Sequence, residues 1–313
     1  MNRIDHTARV AAGILAASLV IGPFLPQWVL FLVTVSFGVG LVVLGLFLLM
    51  RTGLVSFGQG LYYCLGAYTA GSLGLSLEIT DAVLLLLCGG AVAGFAAFIL
   101  GFLLANYRGI FFAMLSLAFS MILYGLLVKT AALGSTDGFN VAVPTLFGLS
   151  FSERWTRYMV FALACLTVFL AATLMNRYLR TPLGRLSPAI KDNELRVEYM
   201  GASARRAIQI KYVIAAVLAG LGGTLTAITI GHIDPELAYW TTSGEFVFIA
   251  ILGGTGNVLA PFLGSLIFEF IRSFAYEYSP NTWQMILGTA LLLVIFFLPA
   301  GLWSVFQTRQ RKA

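Results

Sequence analysis

Residues 176–211 read NRYLRTPLGRLSPAIKDNELRVEYMGASARRAIQIK, and this basic stretch sets the orientation of the whole chain. It contains eight Lys and Arg residues against three Asp and Glu residues, so it carries +5 of the formal net charge of +6. Long apolar runs lie on both sides of it. A polar stretch between membrane spans lies in water, and its excess of Lys and Arg predicts that this water is cytoplasmic.

The middle of this basic stretch predicts one short amphipathic helix over residues 188–200. Ser187 followed by Pro188 is a typical helix start, because serine caps the first turn and proline fits the first helical position. Gly201 is a typical helix end. The predicted helix therefore lies at the cytoplasmic surface and begins and ends within the basic stretch.

The two faces of this predicted helix differ in chemistry. Its apolar stripe consists of Leu186, Ile190, Val197 and Met200. On the opposite face, Asp192 and Arg196 have the i,i+4 spacing of a favourable ion pair. This pattern is typical of an ordinary solvated surface helix and also fits a helix that docks on a partner, so spacing alone leaves both open.

Composition places the chain among integral membrane proteins of the all-α, polytopic class. It is 59% hydrophobic and 10% charged, with a mean hydropathy of +0.93, whereas soluble domains are about a quarter charged. Apolar runs of spanning length occur at residues 10–25, 28–50, 54–75, 82–105, 110–129, 158–175, 208–230 and 282–298. Cys64, Cys88 and Cys165 lie inside such runs and are interpreted as packing residues.

One further apolar run, residues 246–271, is interrupted by GGTGN at 253–257 and by Pro261. A straight membrane helix would not carry this sequence, so we expect a hairpin of two half-helices buried in protein. The prediction is eight full spans plus this interrupted hairpin, or ten spans if each half crosses. Residues 1–313 then form one transmembrane domain, with residues 176–211 as its cytoplasmic segment.

The charges of the loops predict that both termini are cytoplasmic. The basic residues near the termini are Arg3, Arg9, Arg309, Arg311 and Lys312. With the termini inside, the basic loops fall on the cytoplasmic side, and the turns that contain Glu78, Asp137 and Asp234 fall outside.

The chain contains no motif of a catalytic, metal or nucleotide site, so we expect a protein that is not an enzyme and has no cofactor. No carboxylate lies at the centre of a predicted span, where ion-coupled carriers usually place one; Glu269, near the end of the interrupted run, comes nearest. The energy for transport would then come from another subunit, docked on the cytoplasmic segment.

Six stretches, in order from residue 53 to the C-terminus, resemble the permease subunits of branched-chain amino acid ABC transporters of the LivM/LivH type, closer to LivM. They are GLVSFGQG (53–60) with GAY (66–68), FAMLSLAF (112–119), GR (184–185) with AIKDNE (189–194) and Gly201, AGLGG (219–223), GGTGN (253–257) with Pro261 and Gly264, and FLPAGL (297–302). The chain departs from the family at Pro188, where arginine is common, and in the outer loop LGSTDGF (133–139).

The resemblance implies a subunit of an importer in the bacterial inner membrane, surrounded by lipid and without a nucleic-acid partner. A periplasmic binding protein would deliver the solute, a second permease subunit would complete the path as a heterodimer, and two ATPase subunits would dock inside. The residues expected to couple to the ATPase are Gly184, Arg185, Ile190, Lys191, Asp192, Asn193, Glu194, Val197, Met200 and Gly201. The residues expected to line the translocation path are Ser56, Gln59, Gly253, Gly254 and Asn257.

Two other functions stay open from the sequence. A secondary transporter with inverted repeats would carry similar broken helices, and a passive channel for a small solute can lack coupling charges. The solute is also open, since leucine, isoleucine, valine, urea, aromatic acids and other amides are carried by similar permeases.

Overall fold

A computed structural model describes residues 6–146, 148–149, 152–278, 280, 282–298 and 301–304, and helices make up most of them. The α-helices are α1 His6–Ile21, α2 Gln27–Met50, α3 Gln59–Leu77, α4 Ala82–Leu104, α5 Gly109–Lys129, α6 Glu153–Tyr178, α7 Pro182–Asp192, α8 Glu194–Tyr199, α9 Ala204–Ile230, α10 Trp240–Gly253, α11 Ala260–Tyr278 and α12 Trp283–Phe297. Short 3-10 helices lie at Gly22–Phe24, Ala131–Leu133 and Pro235–Ala238, and two-residue strands lie at β1 Phe139–Asn140 and β2 His232–Ile233.

The helical class predicted from composition is confirmed. Within the described residues, five helices (α2, α4, α5, α6 and α9) are long and apolar enough to cross a membrane. The count of eight spans and the sides of the termini stay predictions. Of the terminal basic residues, Arg3, Arg309, Arg311 and Lys312 lie outside the described residues, as do Pro299 and Ala300 of the FLPAGL stretch.

Helix α9 forms the centre of the packing and contacts α2, α3 and α4 through a face of small residues. A Cβ atom added to Gly222 would overlap the Gly38 carbonyl of α2, and one added to Gly223 would overlap the Tyr63 carbonyl of α3. A Cβ atom on Gly220 would lie 2.7 Å from the Gly89 carbonyl of α4. In lipid, where hydrophobic burial does not drive helices together, such close backbone approach is a main source of packing energy.

The predicted third span begins too early, because residues 54–58 are not helical and α3 starts at Gln59. Gly53 turns the chain with a φ of +81°, a value that glycine adopts without strain. The backbone N–H groups of residues 57 and 60 then donate to serine side chains of other helices, at 3.1 and 3.0 Å. These serines replace the missing intrahelical partners, so the irregular backbone is satisfied by the protein itself.

The interruption predicted in the run 246–271 is confirmed as a turn between α10 and α11. The two helices pack antiparallel, and Gly264 comes so close that an added Cβ atom would lie 3.0 Å from the Gly253 backbone. Gly254 ends α10 with a φ of +84°. The helices extend beyond the predicted run at both ends, and whether each crosses the membrane stays a prediction.

The loops gather at two opposite ends of the helices according to their charge. At one end, β1 pairs antiparallel with β2, and Asp81 forms a bridge with Thr145, so the three acidic turns lie together. At the other end, Arg108 contacts Glu194 of the basic stretch, and a Cβ atom on Gly53 would lie 3.2 Å from Lys191. This arrangement is the one that alternating spans require if all basic loops share a side.

Candidate coupling and translocation sites

The basic stretch contains two helices, so the single helix predicted over residues 188–200 is wrong. Helix α7 starts six residues earlier, where the Thr181 side chain accepts a hydrogen bond from the Gly184 N–H at 3.2 Å. Pro182 occupies the first turn of α7, and Pro188 lies inside the helix. The sequence offers two start signals of the same kind, and the chain uses the upstream one.

Asn193 separates α7 from α8. Its extended backbone, with φ −161° and ψ 100°, ends the first helix, and its Oδ1 accepts a hydrogen bond from the Arg196 N–H at 2.9 Å. Asparagine is among the best residues for such a cap. Gly201, two residues after the end of α8, has a φ of +84°, so the helix end predicted there is confirmed.

The break at Asn193 changes the ion pairing of the segment. The predicted Asp192–Arg196 pair is wrong: in the described part of the chain no ion pair joins them, because they no longer share one helix. Instead, Glu194 accepts two hydrogen bonds from Arg108, at 2.7 Å from Nε and 2.6 Å from Nη2. This bidentate contact ties the start of α8 to the loop between α4 and α5.

The apolar stripe of the segment faces the protein's own core. Ile190 is 6% exposed and Val197 is 4% exposed, and both belong to a buried cluster with Leu54 and Ile208. Met200, predicted on the same face, is 79% exposed. The apolar side chains that α8 and the residue after it present to water are Leu195, Tyr199 and Met200, which we call the α8 apolar surface; Arg196 and Glu198 are exposed beside them.

The other residues expected to couple to the ATPase divide between the two sides of the segment. Gly184 is buried, and a Cβ atom there would overlap the Tyr178 carbonyl. The exposed ones are Arg185, Lys191, Asp192, Asn193 and Gly201. The segment is therefore anchored on one side and open to a partner on the other.

Gln59, the first residue of α3, and Ser56, three residues before it, are expected to line the path and are both fully buried. Among the described residues, neither the amide oxygen nor the amide nitrogen of Gln59 has a hydrogen-bond partner. A buried polar group without a partner is costly and is rarely kept without a reason. Gln59 therefore has hydrogen-bonding capacity that the described chain does not use.

Three buried serines surround this start of α3. Ser116 of α5 accepts a hydrogen bond from the N–H of residue 57, and Ser243 of α10 accepts one from the N–H of residue 60. Ser120 of α5 donates to the Ala238 carbonyl at 2.7 Å, which joins the 3-10 helix Pro235–Ala238 to the same place. Ser116 lies in the family-like stretch 112–119, whereas Ser120 and Ser243 were not singled out, because their meeting with α3 depends on helices far apart in the chain.

Gly253, Gly254 and Asn257 lie elsewhere, at the turn between α10 and α11. The Asn257 side chain accepts a hydrogen bond from the Leu259 N–H at 3.1 Å, so it shapes the turn. A Cβ atom on Gly301 would lie 2.5 Å from Gly254, which places the end of the described chain against this turn. Among the described residues, no hydrogen bond joins these three to Gln59.

A charged group lies between α10 and α11; of its members, the sequence analysis named Glu269 and missed Glu245 and Arg272. Arg272 Nη1 is 3.5 Å from Glu245 Oε2 and 3.5 Å from Glu269 Oε1. The three side chains border a cavity of about 720 Å³. Glu245 was overlooked because the predicted run began one residue after it, whereas α10 begins five residues before it. The spacing of Glu269 and Arg272, one helical turn apart in an apolar helix, was the available signal.

Known proteins similar to this chain fit this architecture. The family described as "Branched-chain amino acid transport system / permease component" matches residues 28–296. The high-affinity branched-chain amino acid transport system permease protein LivM of Escherichia coli (strain K12) is 30% identical over 294 residues, covering 87% of this chain and 68% of that protein. The corresponding LivM protein of Salmonella typhimurium matches with the same identity and coverage.

A shorter match is found to the LivH permease protein of Escherichia coli (strain K12), 28% identical over 179 residues, covering 54% of this chain and 56% of that protein. No solved structure matches the chain significantly. The family match covers most of the chain and includes α2 through nearly all of α12. This chain is therefore a multi-pass membrane protein that belongs to the family of permease components of branched-chain amino acid transport systems.

Proposed function

We propose that this chain forms the translocation path of an ABC importer for branched-chain or related amino acids in a bacterial inner membrane. A periplasmic binding protein delivers the solute to the end with the acidic turns, and separate ATPase subunits dock at the basic end. A second permease subunit, of the LivH kind, completes the pair as a heterodimer. The proposal is supported by the similarity to LivM over 87% of the chain.

The observation that carries this proposal is the construction of the basic stretch. Helix α8 is anchored from behind by Val197, which is buried, and by the Arg108–Glu194 contact. Its front, the α8 apolar surface, is open to water. An exposed apolar patch on a short, rigid helix is typical of a protein–protein contact.

The same anchors give a route for transmitting movement. Val197 and Ile190 pack in one cluster with Ile208 near the start of α9, the central helix of the fold. Arg108 immediately precedes α5, whose Ser116 accepts a hydrogen bond from the N–H of residue 57, two residues before Gln59. A partner that pushes on α8 would therefore displace α9 and α5 together, and with them the surroundings of Gln59.

Tyr199→Asp tests the docking surface. Tyr199 is 89% exposed, so the change should leave folding intact and weaken only binding of the ATPase. Burial of one large apolar side chain contributes about 1.5–3 kcal/mol, which corresponds to roughly a ten- to hundredfold change in affinity. We expect recovery of the ATPase with the purified permease, and ATP turnover stimulated by the loaded binding protein, to fall at least tenfold.

The matched control is Tyr278→Asp, the same substitution at another exposed tyrosine, 82% exposed, at the end of α11. It should leave both measurements unchanged. Wild-type recovery and turnover in the Tyr199→Asp variant would show that α8 is not the docking element.

Gln59→Leu tests the path. Because the Gln59 amide has no partner among the described residues, replacing it with an apolar group of similar size should not destabilise the fold. We expect normal assembly and thermal stability with strongly reduced uptake of labelled leucine, isoleucine and valine. Asn257→Leu is the comparison: it removes the hydrogen bond to the Leu259 N–H, so we expect lower uptake together with lower stability. Normal uptake by the Gln59→Leu variant would assign Gln59 to packing alone.

A further inference from the structure

The cavity beside the charged group of α10 and α11 has the size and lining of a small-molecule site. Its volume of about 720 Å³ lies within the ordinary range of ligand pockets, about 300–1,000 Å³. It extends from the outer turn that contains Asp234 and Glu236 to Glu269. Its apolar wall consists of Val35, Val39, Phe246 and Ile249, with Trp28 and Trp283 beside them.

The ionic contacts in this cavity are loose. Arg272 Nη1 stands 3.5 Å from each of its two carboxylates, whereas charge-assisted hydrogen bonds are usually about 2.7–2.9 Å long. The Glu269 residue is only 8% exposed. In the part of the chain that the structure describes, Arg272 is the single cation in ion-pair contact with Glu245 or Glu269. The guanidinium is therefore shared between two anions and held closely by neither.

The charges in this cavity do not balance. Glu245 and Glu269 contribute two formal negative charges against the one positive charge of Arg272, and the turn with Asp234 and Glu236 adds acidic groups at the rim. An excess charge in a membrane-embedded protein is costly, and such groups mark solute pathways. A positive group placed between the carboxylates would balance them, and the unengaged donors of Arg272 are then available to an anion.

We propose that this cavity binds a zwitterionic amino acid, with its ammonium group between Glu245 and Glu269 and its carboxylate on Arg272. The aliphatic side chain of the solute would lie against Val39, Phe246 and Ile249. The inference rests on the proposed function, because that function supplies an amino acid as the solute, and deepens it by adding an outer binding site apart from Gln59. A solute released by the binding protein would occupy this site before it reaches the surroundings of Gln59.

Direct binding to the assembled transporter in nanodiscs, without the binding protein, tests the site. The probe is L-leucine, and the readout is tryptophan fluorescence, since Trp28 and Trp283 line the cavity and the Arg272 guanidinium lies 5.9 Å from the Trp283 ring centre. We expect a saturable change with leucine. We expect at least tenfold weaker binding of 4-methylpentanoate, which lacks the ammonium group, and of 3-methylbutylamine, which lacks the carboxylate.

This comparison needs no variant, so it cannot fail through misfolding. Equal affinity for the three compounds, or no response to leucine, would overturn the inference. A response that follows the sodium concentration and is indifferent to leucine would overturn it as well, because the carboxylates would then hold an inorganic cation.

Variants sharpen the assignment. Glu269→Gln and Arg272→Gln should each weaken leucine binding at least tenfold. Glu153→Gln is the control, because it removes a surface carboxylate, 81% exposed, that pairs with Arg157 outside this cavity. Unchanged binding by the Glu269→Gln variant would contradict the site.

Uptake by the wild-type complex separates this inference from the proposed function. If the wild-type complex takes up no amino acid, the proposed function fails. If it does, and if Glu269→Gln changes neither leucine binding nor the KM for uptake, the proposed function stands and only the outer site is rejected.

Discussion

Two Arg–Glu contacts at different places in this molecule have opposite designs. Arg108 and Glu194 meet at the basic end with two hydrogen bonds of 2.6 and 2.7 Å, one cation to one anion, and their side chains are 33% and 29% exposed. Arg272 meets Glu245 and Glu269 at 3.5 Å, one cation to two anions, and the Glu269 side chain is 11% exposed. In the first contact one cation is matched by one anion through two short hydrogen bonds. In the second, two carboxylates share one guanidinium, and neither forms a short hydrogen bond with it.

The difference follows from what each contact is suited to do. A balanced bidentate pair fixes geometry, and at the basic end it holds α8 against the α4–α5 loop. An unbalanced group in a cavity is poor at fixing geometry and suited to receive a charged molecule. Residue types alone do not distinguish the two, since both consist of arginine and glutamate.

The largest effect on stability should come from Arg272→Gln, because it leaves Glu245 and Glu269 without their cation in a mostly buried place. We expect the free energy of unfolding to fall by about 2–3 kcal/mol, below the value for fully buried pairs because Arg272 is itself 43% exposed. The measurement is thermal unfolding of the detergent-solubilised protein. Adding Glu269→Gln should recover part of the loss, since it removes one of the two negative charges left without a cation. If the double variant is as unstable as the single one, the two groups are not coupled.

An intermediate effect is expected from Val197→Ala, which sharpens the comparison by testing how α8 is held. Val197 is 4% exposed, so removing its two methyl groups should cost about 1–2 kcal/mol. Met200→Ala, three residues later and 79% exposed, should cost less than about 0.5 kcal/mol. Similar losses in the two variants would mean that α8 does not pack as described.

A smaller effect than that of Val197→Ala is expected from Arg108→Gln. Partly exposed ion pairs contribute about 0.2–1 kcal/mol, and salt screens them, so we expect a loss near the upper end of this range at low salt and a smaller one at high salt. Unfolding at two salt concentrations measures both. A loss larger than that of Arg272→Gln would reverse the ranking on which the comparison rests.

The sequence by itself determined the class of the protein and the grouping of its loops. Composition and the length of the apolar runs are sums over residues, so they needed no knowledge of contacts. The interruption at residues 253–257 and the helix end at Gly201 were also predictable, because a backbone position with positive φ favours glycine, and this is a local requirement. The basic stretch was also predictable from local sequence, because its charged residues lie close together in the chain.

The tertiary structure alone decided which side of each helix is buried and which distant residues meet. Ile190 and Val197 were expected to face a partner, but they pack inside the chain, whereas Met200 on the expected stripe is exposed. Arg108 meets Glu194 across 86 residues, a contact that no periodicity indicates. Such pairings depend on how the helices close around the small-residue face of α9, and that closure is a property of the packed backbone and not of any local stretch of sequence.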